Sequence, residues 1–276
     1  MPRTSPSGAS VRRGSGHPCI AVRGIRASRR GIRASRRYRE RMQSDPDVPT
    51  SLAMDEWLAR LAEPTGAPGG GSAAGVMMAL SAALLHMVCG YTPDEPVAAE
   101  AGERVRELRE ASLRASEEDG VRSVALGAAL REDGPDRSAR LYDAAVAAAA
   151  SSADLAEVGI ALVAQLRLVA EVGNPHLVAD TGVASESLRA GLGAALINLR
   201  ANISLARSHA AETPDSGDAA DSGDTSDSGR TSDSGDPSDS GVTQASAELG
   251  RLSDVGARTE RARSEIDAVL AALPLD

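Results

Sequence analysis

Three glycines and a serine, Gly69, Gly70, Gly71 and Ser72 within "APGGGSAAG", stand directly before a long apolar stretch. Glycine is costly to order in a helix, so three in succession at a helix start need a reason. A turn of this kind exposes several backbone N–H groups beside the positive end of the helix dipole, which suits a carboxylate or a carbonyl oxygen. Two narrower phosphate readings fail. Gly66 and Gly71 have P-loop spacing and Ser72 follows, but the required lysine is missing, and the chain contains no Lys anywhere. Gly69, Gly71 and Ala74 can be aligned with a dinucleotide fingerprint, yet that motif follows a strand and this one follows a helical pattern. A packing explanation stays open beside the chemical one: the glycines, with the Gly71/Gly75 pair, would let two helices touch.

Other polar residues stand in telling places. Asn198 and Asn202 are four apart on one helical face among apolar neighbours, and buried amides need partners. Asp180 lies at an expected helix start, where an aspartate can bond backbone N–H groups and also face a pocket. Asn174 sits in a turn before Pro175. His86 and His176 have no Cys or Glu companions at ligand spacing, so no metal is expected. The absence of Lys removes Schiff-base catalysis.

The elements that must position these residues read as helices almost throughout. The chain of 276 residues is 42% apolar but has no Phe, one Trp and three Tyr, so its core must come from Ala, Leu and Val. That favours close-packed helices over a β-sandwich. Ser51 is placed to cap "LAMDEWLARLAE", which Pro64 ends, and Ser72 to cap "SAAGVMMALSAALLHMVCGY". This second stretch is long enough to span a membrane, but its Ala, Gly and Ser content with His86 reads as a buried central helix, and no membrane association is expected. Helices are expected over 96–132, 135–150, 153–172, 180–208 and 244–273, with breaks near Gly120 and Gly134. The expected fold is an all-α, up-and-down helical bundle.

Two segments differ in composition. Residues 1–41 carry twelve Arg against the single acid Glu40, about +11, while the remainder of the chain is about −20. The body is therefore a poor match for nucleic acid. The first segment holds the tandem copy "GIRASRR" at 24–30 and 31–37, and residues 1–45 read as a disordered extension. Met42, where the composition changes, would make a natural start. From Asp215 the triplet "DSG" returns every six residues, with no apolar residue to fill a solenoid interior. Residues 211–243 therefore read as a disordered acidic linker inside one helical domain, 46–210 continued by a final helix at 244–276. Cys19 and Cys89 are a poor disulfide pair and fit a reducing cytoplasm.

"EWLARLAEPTGAPGGGSAAGVMMALSAALLHMVCGYT" resembles the opening of the cyclodeaminase/cyclohydrolase family, the helical second half of formiminotransferase-cyclodeaminase. "GNPHLVADTGVASESLRAGLGAALINLRANI", at 173–203, is similar to a second family motif. The resemblance implies a dimeric, cytoplasmic all-α enzyme. Such an enzyme converts 5-formiminotetrahydrofolate to 5,10-methenyltetrahydrofolate with release of ammonia, or hydrolyses the methenyl form, without a metal or redox cofactor. It implies that Gly69, Gly70, Gly71 and Ser72 line the folate pocket and that Asn174, Asn198 and Asn202 belong to substrate binding. Asp119, in "RASEEDGVRSV", lies where the family has an acidic residue and is the first choice for the general acid/base; Asp180 is the second. Where the family continues with an aromatic, this chain has Gly120, Val121, Arg122 and Ser123. The alternative is a non-catalytic helical homodimer that keeps the fold without the reaction.

Overall fold

The structure is a computed structural model that describes residues 49–210 and 237–275. The Arg-rich extension, and the acidic repeat as far as Asp236, lie outside the described residues. Six α-helices follow one another: α1 Met54–Leu61, α2 Gly70–Gly90, α3 Pro96–Arg131, α4 Arg137–Val172, α5 Val178–Ala210 and α6 Pro237–Ala272. A short 3-10 turn, Pro175–Leu177, joins α4 to α5. Among the described residues there is no strand, as the sequence leads one to expect.

Helices α2 to α5 form a closed ring in which α2 packs on α3 and α5, and α4 packs on the same two from the other side. Their connections are short, so neighbours run antiparallel, and α6 lies along α4 and α5. The core is aliphatic: Met78, Leu85, Val105, Leu155, Leu162, Leu166, Leu188, Leu192 and Ile266 are buried, with alanines between them. Small residues set the spacing. A Cβ on Gly75 would come within 2.6 Å of Ser116 Cβ and 2.8 Å of Ser112 O, so α2 and α3 approach to backbone distance there. By length and composition α2 and α4 could each cross a membrane, but half or more of each apolar stretch is buried against other helices of the bundle.

Several expected boundaries move. α3 runs unbroken through Gly120, which is buried; a Cβ there would lie 3.3 Å from Ser72 Oγ, so this glycine serves close packing and not a break. Gly134 does mark a turn, with φ +115°. The two helices expected over 135–150 and 153–172 are one, α4, because neither Gly nor Pro stands at the expected junction and Ser151 and Ser152 turn their hydroxyls back to Ala148 O at 3.0 Å. Neither Ser51 nor Ser72 caps a helix. Ala53 and Gly69 occupy those positions, and Ser72 lies two residues inside α2 with its hydroxyl bonded elsewhere.

Candidate functional site

At one end of the ring all four helices contribute to a single polar cluster. α3 supplies Asp119, which is 4% exposed. α2 supplies its first turn, α4 supplies Ser151 and Ser152, and α5 supplies Asn198 and Asn202. The serines hold the helices together: Ser72 Oγ donates to Ser116 O at 3.0 Å, and Ser116 Oγ donates to Ser72 O at 2.8 Å. This reciprocal pair pins the start of α2 against α3, one turn from Asp119.

Gly71 decides where the carboxyl can sit. A Cβ built on Gly71 would overlap the Asp119 carboxyl group, with all three of its heavy atoms too close. The two explanations of the glycine run therefore divide between two residues: Gly75 is there for helix contact, and Gly71 makes room for a carboxyl. The first ladder bond of α2 runs from Ala73 N–H to Gly69 O at 3.0 Å, so the N–H groups of Gly70, Gly71 and Ser72 take no part in the helix ladder. They face the same end of the helix as the carboxyl. Gly70 is exposed, and a Cβ on it would lie 3.5 Å from Asn198 Nδ2.

Burial pushes the Asp119 carboxyl above the ordinary carboxylate range, and hydrogen bonds from Ser123, Ser152 and Ser151 pull it only partway back. Those bonds are long: 3.4 Å from Ser123 to Oδ2, and 3.4 and 3.5 Å from Ser152 and Ser151 to Oδ1. The physical reason is proton supply. Each serine hydroxyl has one proton, and Ser151 and Ser152 each hold a shorter bond to Ala148 O. Asn202 Nδ2 approaches Ser152 Oγ at 3.5 Å, which links α5 to the carboxyl through one hydroxyl. A buried carboxyl with a raised pKa holds its proton to higher pH than an exposed aspartate, which suits it to giving a proton as well as taking one.

The neighbouring acids do not compete for the role. Glu117 accepts from Thr50 N–H and Oγ at 2.7 and 2.8 Å, and Glu118 pairs on the surface with Arg122 at 2.6 Å. Of the sequence-selected residues, Gly69 to Ser72, Asp119, Asn198 and Asn202 meet at this end. Asn174 and Asp180 do not. Asn174 locks the loop against the far end of α2: its Nδ2 donates to Tyr91 O at 3.2 Å, and its Oδ1 accepts from His176 N–H at 2.9 Å. Asp180 is in the first turn of α5, eighteen residues from Asn198 and so about 27 Å from it along the axis. Sequence reasoning missed Ser116, Ser123, Ser151 and Ser152. The adjacent serines inside an Ala-rich helix were the available signal. Among the described residues no three His, Cys, Asp or Glu side chains gather as a metal site.

The model of the formiminotransferase-cyclodeaminase family matches residues 53–213 of this chain. Among solved structures, the formiminotetrahydrofolate cyclodeaminase of Thermotoga maritima is similar, with a TM-score of 0.57 and 21% identity. That match covers 80% of this chain and 96% of the other, and at this identity it shows a shared fold. No curated protein matches the chain.

Proposed function

The chain belongs to the formiminotransferase-cyclodeaminase family, and from that premise we propose that it acts on a tetrahydrofolate carrying a one-carbon group at N5. The reaction is cyclodeamination of the 5-formimino form or, in the related direction, hydrolysis of the 5,10-methenyl form. The observation that carries this reading is the buried Asp119 carboxyl packed on Gly71, with the exposed Gly70 and half-buried Asn198 beside it.

In cyclodeamination of the protonated formimino group, N10 attacks the formimino carbon and a new N10–C bond forms. The proton on N10 must leave and the NH2 group must gain one. The C–N bond to that group then breaks, ammonia departs, and the bridging carbon becomes the methenyl cation. Asp119 gives a proton to the departing nitrogen and recovers one from N10, so it ends as it began. Desolvation keeps the carboxyl protonated at pH values where an exposed aspartate is ionised. The free N–H groups of Gly70, Gly71 and Ser72, with the amides of Asn198 and Asn202, would bind carbonyl and ring edges of the pterin. No metal or redox cofactor enters this chemistry. The reaction involves soluble partners only, and a cytoplasmic location fits it.

A homodimer completes the proposal. Val183, Ala190 and Ile197 recur every seven residues along the exposed side of α5, and Val183 and Ile197 are 56% and 69% exposed. On α2, Leu80 and Met87 repeat the spacing at 54% and 37% exposure. A groove of about 580 Å³ along α5 is lined by Val183 and Ala190, with Met77 of α2 and, from the C-terminal end, Leu270 and Leu275. Antiparallel self-pairing of α5 about Ala190 would set residue 180 of one copy opposite residue 200 of the other. Asp180 would then lie near the partner's Asn198, which gives both sequence-selected aspartates a place at one site.

The test is an absorbance assay at the methenyltetrahydrofolate band with 5-formiminotetrahydrofolate and, separately, methenyltetrahydrofolate. A rise with the first or an accelerated fall with the second supports the proposal and gives the direction. No change with either, while folate still binds by calorimetry, would leave the non-catalytic homodimer.

A further inference from the structure

Among the described residues, three of the six buried side-chain polar atoms that find no hydrogen-bond partner belong to two neighbouring residues of α1. Arg60 and Trp57 are each 3% exposed. Nε and Nη1 of the guanidinium and Nε1 of the indole are sealed from solvent without an acceptor. Spaced three residues apart, the two side chains lie on one face of α1. Four surface arginines behave differently: Arg106, Arg122, Arg189 and Arg258, all at least 40% exposed, each reach a carboxylate. Arg60 and Asp119 are the two formally charged residues buried among those described, and no ion pair joins Arg60 to Asp119 or to any other described acid.

A guanidinium does not lose its charge by deprotonation, so its burial is unfavourable until an anion joins it. We propose that Arg60, with Trp57 beside it, is a binding site for a small oxyanion, a carboxylate or a phosphate. The planar donor array of a guanidinium matches two oxygens of either group, and the indole N–H adds a third donor on the same face. A neutral ligand would leave the charge uncompensated. α1 makes none of the extensive helix pairings that build the ring, so an anion can enter beneath it without unpacking the core.

The chain carries its own reporter, because Trp57 is its single tryptophan. The full-length protein is titrated with inorganic phosphate and, separately, with glutarate, each against sodium chloride at matched ionic strength. Trp57 emission and the thermal midpoint are followed. At least one oxyanion is expected to change the emission saturably and to raise the midpoint by about 5 °C at a hundredfold excess over its Kd. A response to phosphate alone assigns a phosphoryl ligand, and a response to glutarate alone assigns a carboxylate. Arg60→Met is expected to lose the response and to melt no lower than wild type in anion-free buffer, since an apolar chain removes the uncompensated charge. Arg60→Gln serves as a second variant. A saturable response to neither anion, an unchanged response in both variants, or variants that melt well below wild type without anion would overturn the proposal. No folate is present, so the outcome is independent of the proposed reaction.

Discussion

The carboxyl group of Asp119 occupies the space in which a side chain on residue 71 would begin. Two helices are thereby committed to one another at a single point. Gly71→Ala would drive a methyl into a buried carboxyl, so it is expected to destabilise the fold by about 1–3 kcal/mol or more, the usual cost of overpacking. In the Asp119→Ala background the same substitution has room and should cost far less. Denaturant melts of the two single variants and the double variant measure this coupling; additive effects would show that the two side-chain positions do not compete.

Asp119→Asn keeps the shape and removes the titrating group. Turnover is expected to fall by a factor of about 10²–10⁴, the usual worth of a general acid/base. Stability provides a second readout with a definite sign. Because burial raises the folded-state pKa of Asp119 above its unfolded value, its favourable contribution is complete below the ordinary carboxylate range and is lost as pH rises through the folded pKa. From acid toward neutral pH, thermal melts should therefore show wild type losing ground to Asp119→Asn. A difference that is constant with pH would mean the carboxyl is not held protonated by burial.

The dimer can be tested by complementation. If Asp180 serves the partner's site, then Asp180→Asn and Asp119→Asn should each be inactive alone, while a random mixture of the two chains regains about a quarter of wild-type activity through hybrid dimers. Ile197→Glu, at the exposed end of the α5 stripe, should yield monomers by light scattering. Full activity of Asp180→Asn would remove that residue from the reaction.

Asn174→Ala should separate stability from chemistry. The side chain bonds Tyr91 O and His176 N–H at the end of the bundle far from Asp119 in the same chain. Its loss is expected to cost about 1–2 kcal/mol and to leave kcat per folded molecule unchanged. A fall in kcat with unaltered melting would instead place Asn174 at the substrate.

Much of this protein follows from sequence-local chemistry. The helical period, the aliphatic and alanine-rich core composition and the turn at Gly134 determine an all-α bundle, and the glycine run marks the start of α2, because each depends on neighbours within a few residues. The pairing of Asn198 with Asn202 on one face has the same origin, since four residues make one turn. What only the tertiary structure decided is which polar residues meet. Gly71 and Asp119 are 48 positions apart, and Asp119 and Ser152 are 33; their contact depends on the register of α3 against α2 and α4. The same register turns Glu118 to solvent and Glu117 to Thr50, a distinction that three adjacent acids do not carry in their sequence. It also keeps α3 continuous through Gly120, where local propensity favours a break, because the missing Cβ allows close contact with α2 and that packing outweighs the glycine's cost. Asn174 and Asp180 fall at the other end because thirty ångströms of antiparallel helix separate the two ends of the ring, roughly twenty residues at 1.5 Å each.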